Sequence, residues 1–183
     1  DWSSDVCSSD LKVQEAFRSV AKEKSVAALI GQAIADNFAQ EGPGWEPLKA
    51  QTIRRSVSKK LRKELAAMTD KQILAAESKA RQEGGIPFRR ILQRTGLLKK
   101  SASMVGFSGT STPKKGGPTV RGSNIYKVEN FTIVWGTNLP YAKVHNEGGK
   151  HIPKREFLRL STQWQNRLDE YVLNKVKTYI RSE

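Results

Sequence analysis

The chain has very little cysteine, and this scarcity excludes several classes of protein. Its 183 residues include one cysteine and two histidines, so neither a framework of intrachain disulfides nor a zinc site built from several cysteines can form. Long apolar runs are also missing, since none approaches the roughly 20 residues that a helix needs to span a bilayer. We therefore expect neither a disulfide scaffold nor an integral membrane protein.

Acidic side chains are few, and basic ones dominate the charge. The chain has 32 Lys and Arg against 18 Asp and Glu, which gives a formal net charge of +14. With 37% hydrophobic residues, a chain of this length can bury the core of one ordinary domain. The excess of positive charge favours a polyanionic partner or neighbour, although it says nothing about the fold.

The two ends of the chain differ from the rest. Residues 1–11 carry three aspartates and lack the cationic start and apolar centre of a signal peptide. They are similar to the in-frame translation of a common sequencing-library adapter, and residues 181–183 are similar to the same adapter read in the other direction. We expect residues 1–11 to be an artefact and residues 12–180 to form a single domain, while an artefact and a natural tail both stay open for residues 181–183. Without the ends, 31 basic and 14 acidic side chains remain, a formal net charge of +17, and the cysteine is lost.

Hydrophobic periodicity predicts helices in the first half of the chain. Residues 12–39 have apolar side chains at steps of three, four or seven, which is typical of one amphipathic helix. A second helix is predicted to begin near Thr52 and to carry an apolar stripe as far as Met68. Thr69 or Asp70 is expected to cap a third helical stretch.

The second half of the chain is predicted to contain strands and one more helix. Residues 101–107 are typical of a strand, residues 108–123 of a basic flexible loop rich in Gly, Ser, Pro and Lys, and residues 125–135 of a β-hairpin. Apolar periodicity between Phe157 and Ile180 predicts a terminal helix. This order predicts an α+β fold with long N-terminal helices, a small antiparallel β-sheet and a C-terminal helix.

No constellation of residues predicts an enzyme. His145-Asn146-Glu147 matches the first half of the zinc deaminase pattern, H-x-E, but the P-C-x-x-C half is missing. His145 and His151 could bind a metal together, yet no third ligand has a recognisable spacing. A P-loop and a G-x-S-x-G elbow are also missing. We expect no catalytic residue, no cofactor and no metal, and we interpret the histidines as polar residues of a surface turn.

Positive charge is concentrated in two segments of the sequence. The first is one face of the predicted second helix, with Arg54, Arg55, Lys59, Lys60, Arg62 and Lys63. The second is the predicted loop, with Lys114, Lys115 and Arg121. Such cations can bind phosphates in a salt-dependent manner, but a solvated helix face shows the same pattern. Both interpretations of the first segment stay open.

Three aromatic residues of the predicted hairpin have two interpretations as well. Tyr126, Phe131 and Trp135 could stack on the bases of a single-stranded nucleic acid. Packing between neighbouring strands of the sheet explains them better.

Three motifs occur in a fixed order along the chain. The first is a helix that ends at Phe38, followed by a glycine turn and the W-x-P-L of residues 45–48. The second is I-L-x-x-T-G-x-L-x-x-S over residues 91–101. The third combines G-T-x-x-x-Y-A-x-x-H-x-x-G over residues 136–148 with I-P-x-R-x-F-L over residues 152–158.

Together these motifs resemble the phage virion morphogenesis family, the Mu- and P2-like tail-completion proteins, over about residues 38–161. The motif residues for which we expect structural roles are Trp45, Pro47, Leu48, Thr95, Gly96, Leu98, Gly136, Tyr141, Ala142, His145, Gly148, Pro153, Arg155 and Phe157. Trp45 and Leu48 are expected to anchor the chain in a core, and Gly96 and Gly136 to permit sharp reversals. Arg155 and Phe157 are expected to fix the start of the last helix.

The resemblance implies a structural role in tail completion and head–tail joining. It implies a homo-oligomeric ring at the head-proximal end of the tail, located in the virion tail or neck and, during assembly, in the cytoplasm of the bacterial host. The implied partners are further copies of the chain and other tail and neck proteins, with non-specific contact to passing genomic DNA and none to a membrane. The alternative is a stand-alone basic protein that binds nucleic acid.

Overall fold

Eight helices and three strands make up the described part of the chain. The computed structural model describes residues 2–42, 45–83, 91–92, 96–112 and 118–182. The helices are α1 Trp2–Ala21, α2 Lys24–Ala39, α3 Ala50–Ser56, α4 Lys59–Ala66, α5 Asp70–Gln82, α6 Leu97–Ser103, α7 Ala142–Glu147 and α8 Thr162–Ser182. The strands are β1 Ser108–Ser111, β2 Val120–Glu129 and β3 Thr132–Thr137. The predicted α+β class, with a small antiparallel sheet and a C-terminal helix, is confirmed.

The prediction of a single N-terminal helix over residues 12–39 is wrong, because the helix is interrupted between α1 and α2. The amide of Lys22 still donates to Arg18 O and Ser19 O, at 3.3 and 3.2 Å. Glu23 then has an extended conformation with φ −61° and ψ 140°, and α2 begins after it. The apolar spacing continues across this break, so the hydrophobic pattern carries no sign of it. α1 begins at Trp2, and the artefactual origin of residues 1–11 stays a prediction.

The predicted second helix is also two helices. Val57 is extended, and the Ser58 hydroxyl caps α4 by accepting a hydrogen bond from Leu61 N at 3.3 Å. The predicted cap at Thr69 is confirmed. The amide of Thr69 donates to Gln72 Oε1 at 2.8 Å and the amide of Gln72 donates to Thr69 Oγ1 at 3.3 Å, a reciprocal capping box at the start of α5.

The sheet is built around β2, whose two halves have different partners. Its first half pairs antiparallel with β1, from Ser111↔Val120 to Ser108↔Ser123. Its second half pairs antiparallel with β3, from Asn124↔Thr137 to Glu129↔Thr132. The predicted β-hairpin is therefore confirmed, with longer strands than expected.

Three local predictions in the second half of the chain are wrong. Residues 101–103 belong to α6, where Leu97, Leu98 and Ala102 are buried at helical spacing, so residues 101–107 are not a strand. The predicted loop over 108–123 is wrong at its two ends, which form β1 and the start of β2 and pair with each other, whereas residues 113–117 lie outside the described residues. Gly136 lies in β3 opposite Ile125 and makes no reversal. The predicted terminal helix is present as α8, but it begins at Thr162, five residues after Phe157.

The apolar side chains form two separate clusters. The main core combines α2, α6 and the segment around Phe157, and it buries Val26, Ile30, Ile34, Phe38, Leu97, Leu98, Leu139, Ala142 and Phe157 among others. A second cluster lies within α3, α4 and α5, with Ala50, Ile53, Val57, Leu65 and Ile73. We call residues 48–82 the three-helix unit. Among the described residues, no helix has both the length and the apolarity that crossing a bilayer requires.

Candidate functional site

The first and third motif segments meet at the end of α2. The ring of Phe38 lies 5.3 Å from the ring of Phe157 and 6.1 Å from that of Trp45, which it meets edge-on at 86°. Phe38 and Phe157 are completely buried, and Trp45 is half-buried against the same core. The expectation that Trp45 anchors the chain in a core is therefore confirmed, while Leu48 packs on the second cluster.

Arg155 connects three segments of this joint. Its Nη2 donates to Glu46 O at 3.2 Å, and its main-chain amide donates to His145 O at 2.9 Å. The residue is only 6% exposed, and its Nε is buried with no hydrogen-bond partner in the described part of the chain. Burial lowers the pKa of the Arg155 guanidinium, and the negative charge of Glu46 opposes this effect.

Asn37 holds the segment that leads to α8, and sequence reasoning missed it. Its Nδ2 donates to Phe157 O at 3.1 Å and to Arg159 O at 2.5 Å. Asn37 is 8% exposed and lies on the buried face of α2, next to Phe38. A polar amide on an otherwise apolar stripe was the available signal, because a buried amide requires hydrogen-bond partners.

His145 lies in the last turn of α7, half-buried beside Tyr141. The two rings are 6.0 Å apart and meet edge-on at 82°. Burial lowers the pKa of His145, and the positive charge of Arg155 lowers it further. Its Nδ1 is buried and has no hydrogen-bond partner among the described residues. The geometry therefore favours a neutral imidazole that packs against Tyr141, in a helix turn instead of the expected surface turn.

The described ranges contain no group of three or more His, Cys, Asp or Glu placed to hold a metal ion. His145 and His151 thus have no third ligand there. Within the described residues, no carboxylate hydrogen-bonds Nδ1 of His145. What the site offers chemically is a packed polar joint.

The remaining motif residues have varied positions. Gly96 has φ +71° and precedes α6, a left-handed conformation that favours glycine, and the expected reversal stays a prediction because residues 93–95 lie outside the described residues. Gly148 has φ +86° at the end of α7. Leu98 and Ala142 are buried in the main core, Tyr141 and Pro153 are half-buried, and Pro47 is exposed. Thr95, Lys114 and Lys115 lie outside the described residues.

Two arginines of the predicted basic face donate hydrogen bonds to main-chain carbonyls at the ends of helices. Arg54 Nη2 and Nε donate to Met68 O at 2.8 Å and to Leu65 O at 3.4 Å, and its Nη1 lies 2.5 Å from Asp70 Oδ1. Arg62 donates to the carbonyl oxygens of Arg54, Arg55 and Val57 at 3.1 to 3.4 Å. Carbonyls at helix C-termini are partly negative and lack intrahelical donors. These two guanidinium groups therefore stabilise the three-helix unit from within.

Four cations of the same region remain on the surface. Arg55, Lys59, Lys60 and Lys63 are exposed. None of them has a carboxylate within 4.0 Å among the residues that the structure describes. Arg121 is also exposed, on β2. The structure thus separates the predicted basic face into structural arginines and free cations.

Two of the hairpin aromatics face the body of the protein, away from solvent. Tyr126 and Trp135 are cross-strand partners with rings 5.4 Å apart. Trp135 Nε1 donates to Ala102 O at 2.5 Å, and the Tyr126 hydroxyl donates to the carbonyl oxygen of Ala21. Phe131 packs on Phe17 of α1 at 5.6 Å, although it is 56% exposed. These contacts favour packing over base stacking.

Known proteins provide no identification of the chain. No family model matches it, and no curated protein or solved structure is significantly similar to it. Similarity to other proteins therefore adds nothing to the resemblance carried by the three motifs. That resemblance stays a prediction.

Proposed function

We propose that this protein is a structural component of phage morphogenesis that acts in tail completion and head–tail joining. In this proposal it forms a homo-oligomeric ring at the head-proximal end of the tail, in contact with other tail and neck proteins. The observation that carries the proposal is that the three motif segments contribute to one core. Phe38 and Trp45, Leu97 and Leu98, and Phe157 come from segments far apart in the chain and pack in the same cluster.

This convergence supports the resemblance because short motifs that arise by chance have no reason to meet in space. Arg155 bonds to Glu46 O, so a residue of the third motif contacts the W-x-P-L segment directly. Leu97 and Leu98 of the second motif are buried with Leu139 and Ala142 of the third. The shared residues thus build one structural joint, as expected for an assembly protein whose motifs maintain its shape.

The exposed side of α8 supports self-association. This helix has 21 residues, and none of them is fully buried. Leu173 is 53% exposed and Ile180 is 41% exposed, seven residues apart on the same side of the helix. Large exposed apolar side chains at helical spacing are typical of surfaces that are covered in an assembly.

Two experiments test the proposal. The mass of the full chain in solution, measured by light scattering, should correspond to a closed oligomer, and electron microscopy should show rings. Inactivation of the gene in a phage that carries it should yield unjoined heads and tails. A monomer at all concentrations, or a normal yield of infectious particles, would overturn the proposal.

The alternative function, a stand-alone protein that binds nucleic acid, is favoured by the four exposed cations near α4. It predicts tight, salt-dependent duplex binding by a monomer and no defect in particle assembly. The two functions therefore differ in oligomeric state and in the phenotype of the inactivated gene.

A further inference from the structure

One face of α4 consists of exposed lysines that form no ion pair with any described residue. Successive residues of a helix are about 100° apart around its axis, so Lys63 points away from the apolar pair Leu61 and Leu65, with Lys59 and Lys60 on either side of it. Leu65 is 2% exposed and Leu61 packs against the same cluster, whereas all three lysines are exposed. We call Lys59, Lys60 and Lys63 the α4 lysine face.

The lysine face is strongly unbalanced in charge. Residues 50–66 contain six basic side chains and one acidic side chain, Glu64, which lies at the edge of the face next to Lys60. Arg54 and Arg62 bond to main-chain carbonyls of the unit. The three lysines have no carboxylate within 4.0 Å in the described part of the chain. Their charges are therefore not used to hold the unit together.

The lysine face also lies apart from the joint that the motifs build. The three-helix unit has its own apolar cluster, and among the described residues Leu48, at its margin, is the one motif residue that packs against it. Changes to exposed lysines on α4 should therefore leave the packing of Phe38, Trp45 and Phe157 intact. This separation makes the contribution of the face measurable by itself.

We propose that the α4 lysine face is a contact surface for the phosphate backbone of double-stranded nucleic acid. Ammonium groups bind phosphates as point charges and read no base sequence. Residues 48–83 contain no aromatic side chain, so the three-helix unit itself supplies no platform on which unpaired bases could stack. Charge and composition together favour the duplex over a single strand.

The inference rests on the proposed function for its biological setting, since a ring through which a genome passes brings phosphates close to the protein. The contact itself depends only on the α4 surface. Arg55, at the end of α3, is exposed, has no ion pair among the described residues and would extend the contact. An acidic protein surface is the competing partner, and it is an outcome of the test.

The test compares two triple variants of the full chain that lose the same amount of charge. Lys59, Lys60 and Lys63 are changed to Gln in one. The control changes Lys22, Lys127 and Lys150, which are exposed and lie outside the three-helix unit, to Gln. Binding to a fluorescent duplex of about 30 base pairs is measured by anisotropy between about 50 and 200 mM KCl, because each phosphate contact on B-DNA contributes about 0.9 to the salt slope.

The lysine-face variant is expected to lower the slope of log K against log salt by about 2 to 3, and the control variant by less than about 1. An equal loss in both variants would show an effect of overall charge and would overturn the inference. Absence of duplex binding by the unchanged protein at low salt would overturn it as well. So would loss of partner-protein binding in the lysine-face variant with duplex binding intact, since the face would then be a protein contact.

Oligomeric mass, measured on the same samples, separates this inference from the proposed function. A lysine-face variant that keeps its oligomer and loses duplex binding supports the inference. A chain that stays monomeric but shows the expected difference between the two variants contradicts the ring and leaves the phosphate contact standing. A chain that forms the ring but shows no difference between the variants contradicts only the contact.

Discussion

The guanidinium of Arg155 donates a hydrogen bond to the main-chain oxygen of Glu46 at 3.2 Å, across 109 positions of the sequence. The amide of Arg155 bonds at the same time to His145 O, in the last turn of α7. Further along the same segment, the side-chain amide of Asn37 in α2 donates hydrogen bonds to the carbonyl oxygens of Phe157 and Arg159. The segment that leads to α8 is therefore fixed by side chains from distant parts of the chain.

Arg155→Lys should destabilise the fold by about 1–3 kcal/mol, because an ammonium group cannot reproduce the Nη2 bond to Glu46 O from a buried position. Urea denaturation followed by circular dichroism measures the change. Arg159→Lys is the control, since Arg159 is 67% exposed and pairs with Glu156 over 3.6 Å, and it should cost less than about 0.5 kcal/mol. Equal losses in the two variants would contradict the role assigned to Arg155.

Arg54→Ala should loosen the three-helix unit and leave the main core unchanged. It removes donors to Leu65 O and Met68 O, and we expect a local loss of about 1–3 kcal/mol. Hydrogen exchange read by mass spectrometry should show faster exchange in α3, α4 and α5 alone.

Arg55→Ala is the matched control for this change, because Arg55 is exposed and its side chain makes no hydrogen bond within the described residues. Asp70→Asn should also have a small effect of less than about 1 kcal/mol, since the Asp70 side chain is 69% exposed and surface ion pairs contribute little. Faster exchange throughout the main core in Arg54→Ala would show that the two clusters are coupled.

His145 should make the fold less stable in mild acid. Burial and the charge of Arg155 hold the folded-state pKa below the ordinary value of 6.5, so below about pH 6.5 the unfolded chain binds a proton that the folded chain does not. The free energy of unfolding should therefore fall as the pH drops from 6.5 toward the lowered pKa. His145→Gln should remove this part of the dependence, measured by urea denaturation across the range. An identical pH profile for both chains would refute the assignment.

Gly148→Ala and Gly136→Ala should differ sharply in cost. Gly148 has φ +86°, and an added Cβ would lie 3.1 Å from Lys154 N, so the substitution should cost about 1–3 kcal/mol. Gly136 lies in β3, where an added Cβ would meet no atom of a described residue within 4 Å, so alanine should cost less than about 0.5 kcal/mol or stabilise slightly. Thermal unfolding of the two variants checks the contrast, and a larger loss at Gly136 would contradict it.

Local chemistry explains which elements could be predicted. The cap at Thr69 and the alternating aromatic and β-branched residues of β2 and β3 act over a few positions, and both were predicted. The reciprocal hydrogen bond from the Thr69 amide to Gln72 was not. The breaks at Glu23 and at Val57 were missed because the apolar spacing continues across them. β1 was missed because its four polar residues gain their order from pairing with β2, and such pairing leaves no local pattern.

The residues of the candidate site were predicted only in part, because several of their hydrogen-bond partners lie far away in the sequence. Structural roles are expected for Trp45, Arg155 and Phe157 but not for Asn37. The sequence shows a polar residue within the apolar stripe of a helix, but it does not show whether that residue is buried or solvated. Arg54 and Arg62 were counted with the basic surface. The sequence shows the charge of Arg54 and Arg62, but it does not show which main-chain carbonyls accept their hydrogen bonds.

The sequence by itself determined the excess of positive charge, the order of helices and hairpin, and the motifs that resemble a tail-completion family. Each of these depends on composition or on spacing within a few turns of chain. Contacts in the folded chain place Phe38, Trp45 and Phe157 in one core. They also bind two of the six basic residues near α4 to main-chain carbonyls, while the other four have no carboxylate within 4.0 Å among the described residues. Those outcomes depend on contacts between residues far apart in the chain, where burial and available acceptors, and not residue type, select the partner.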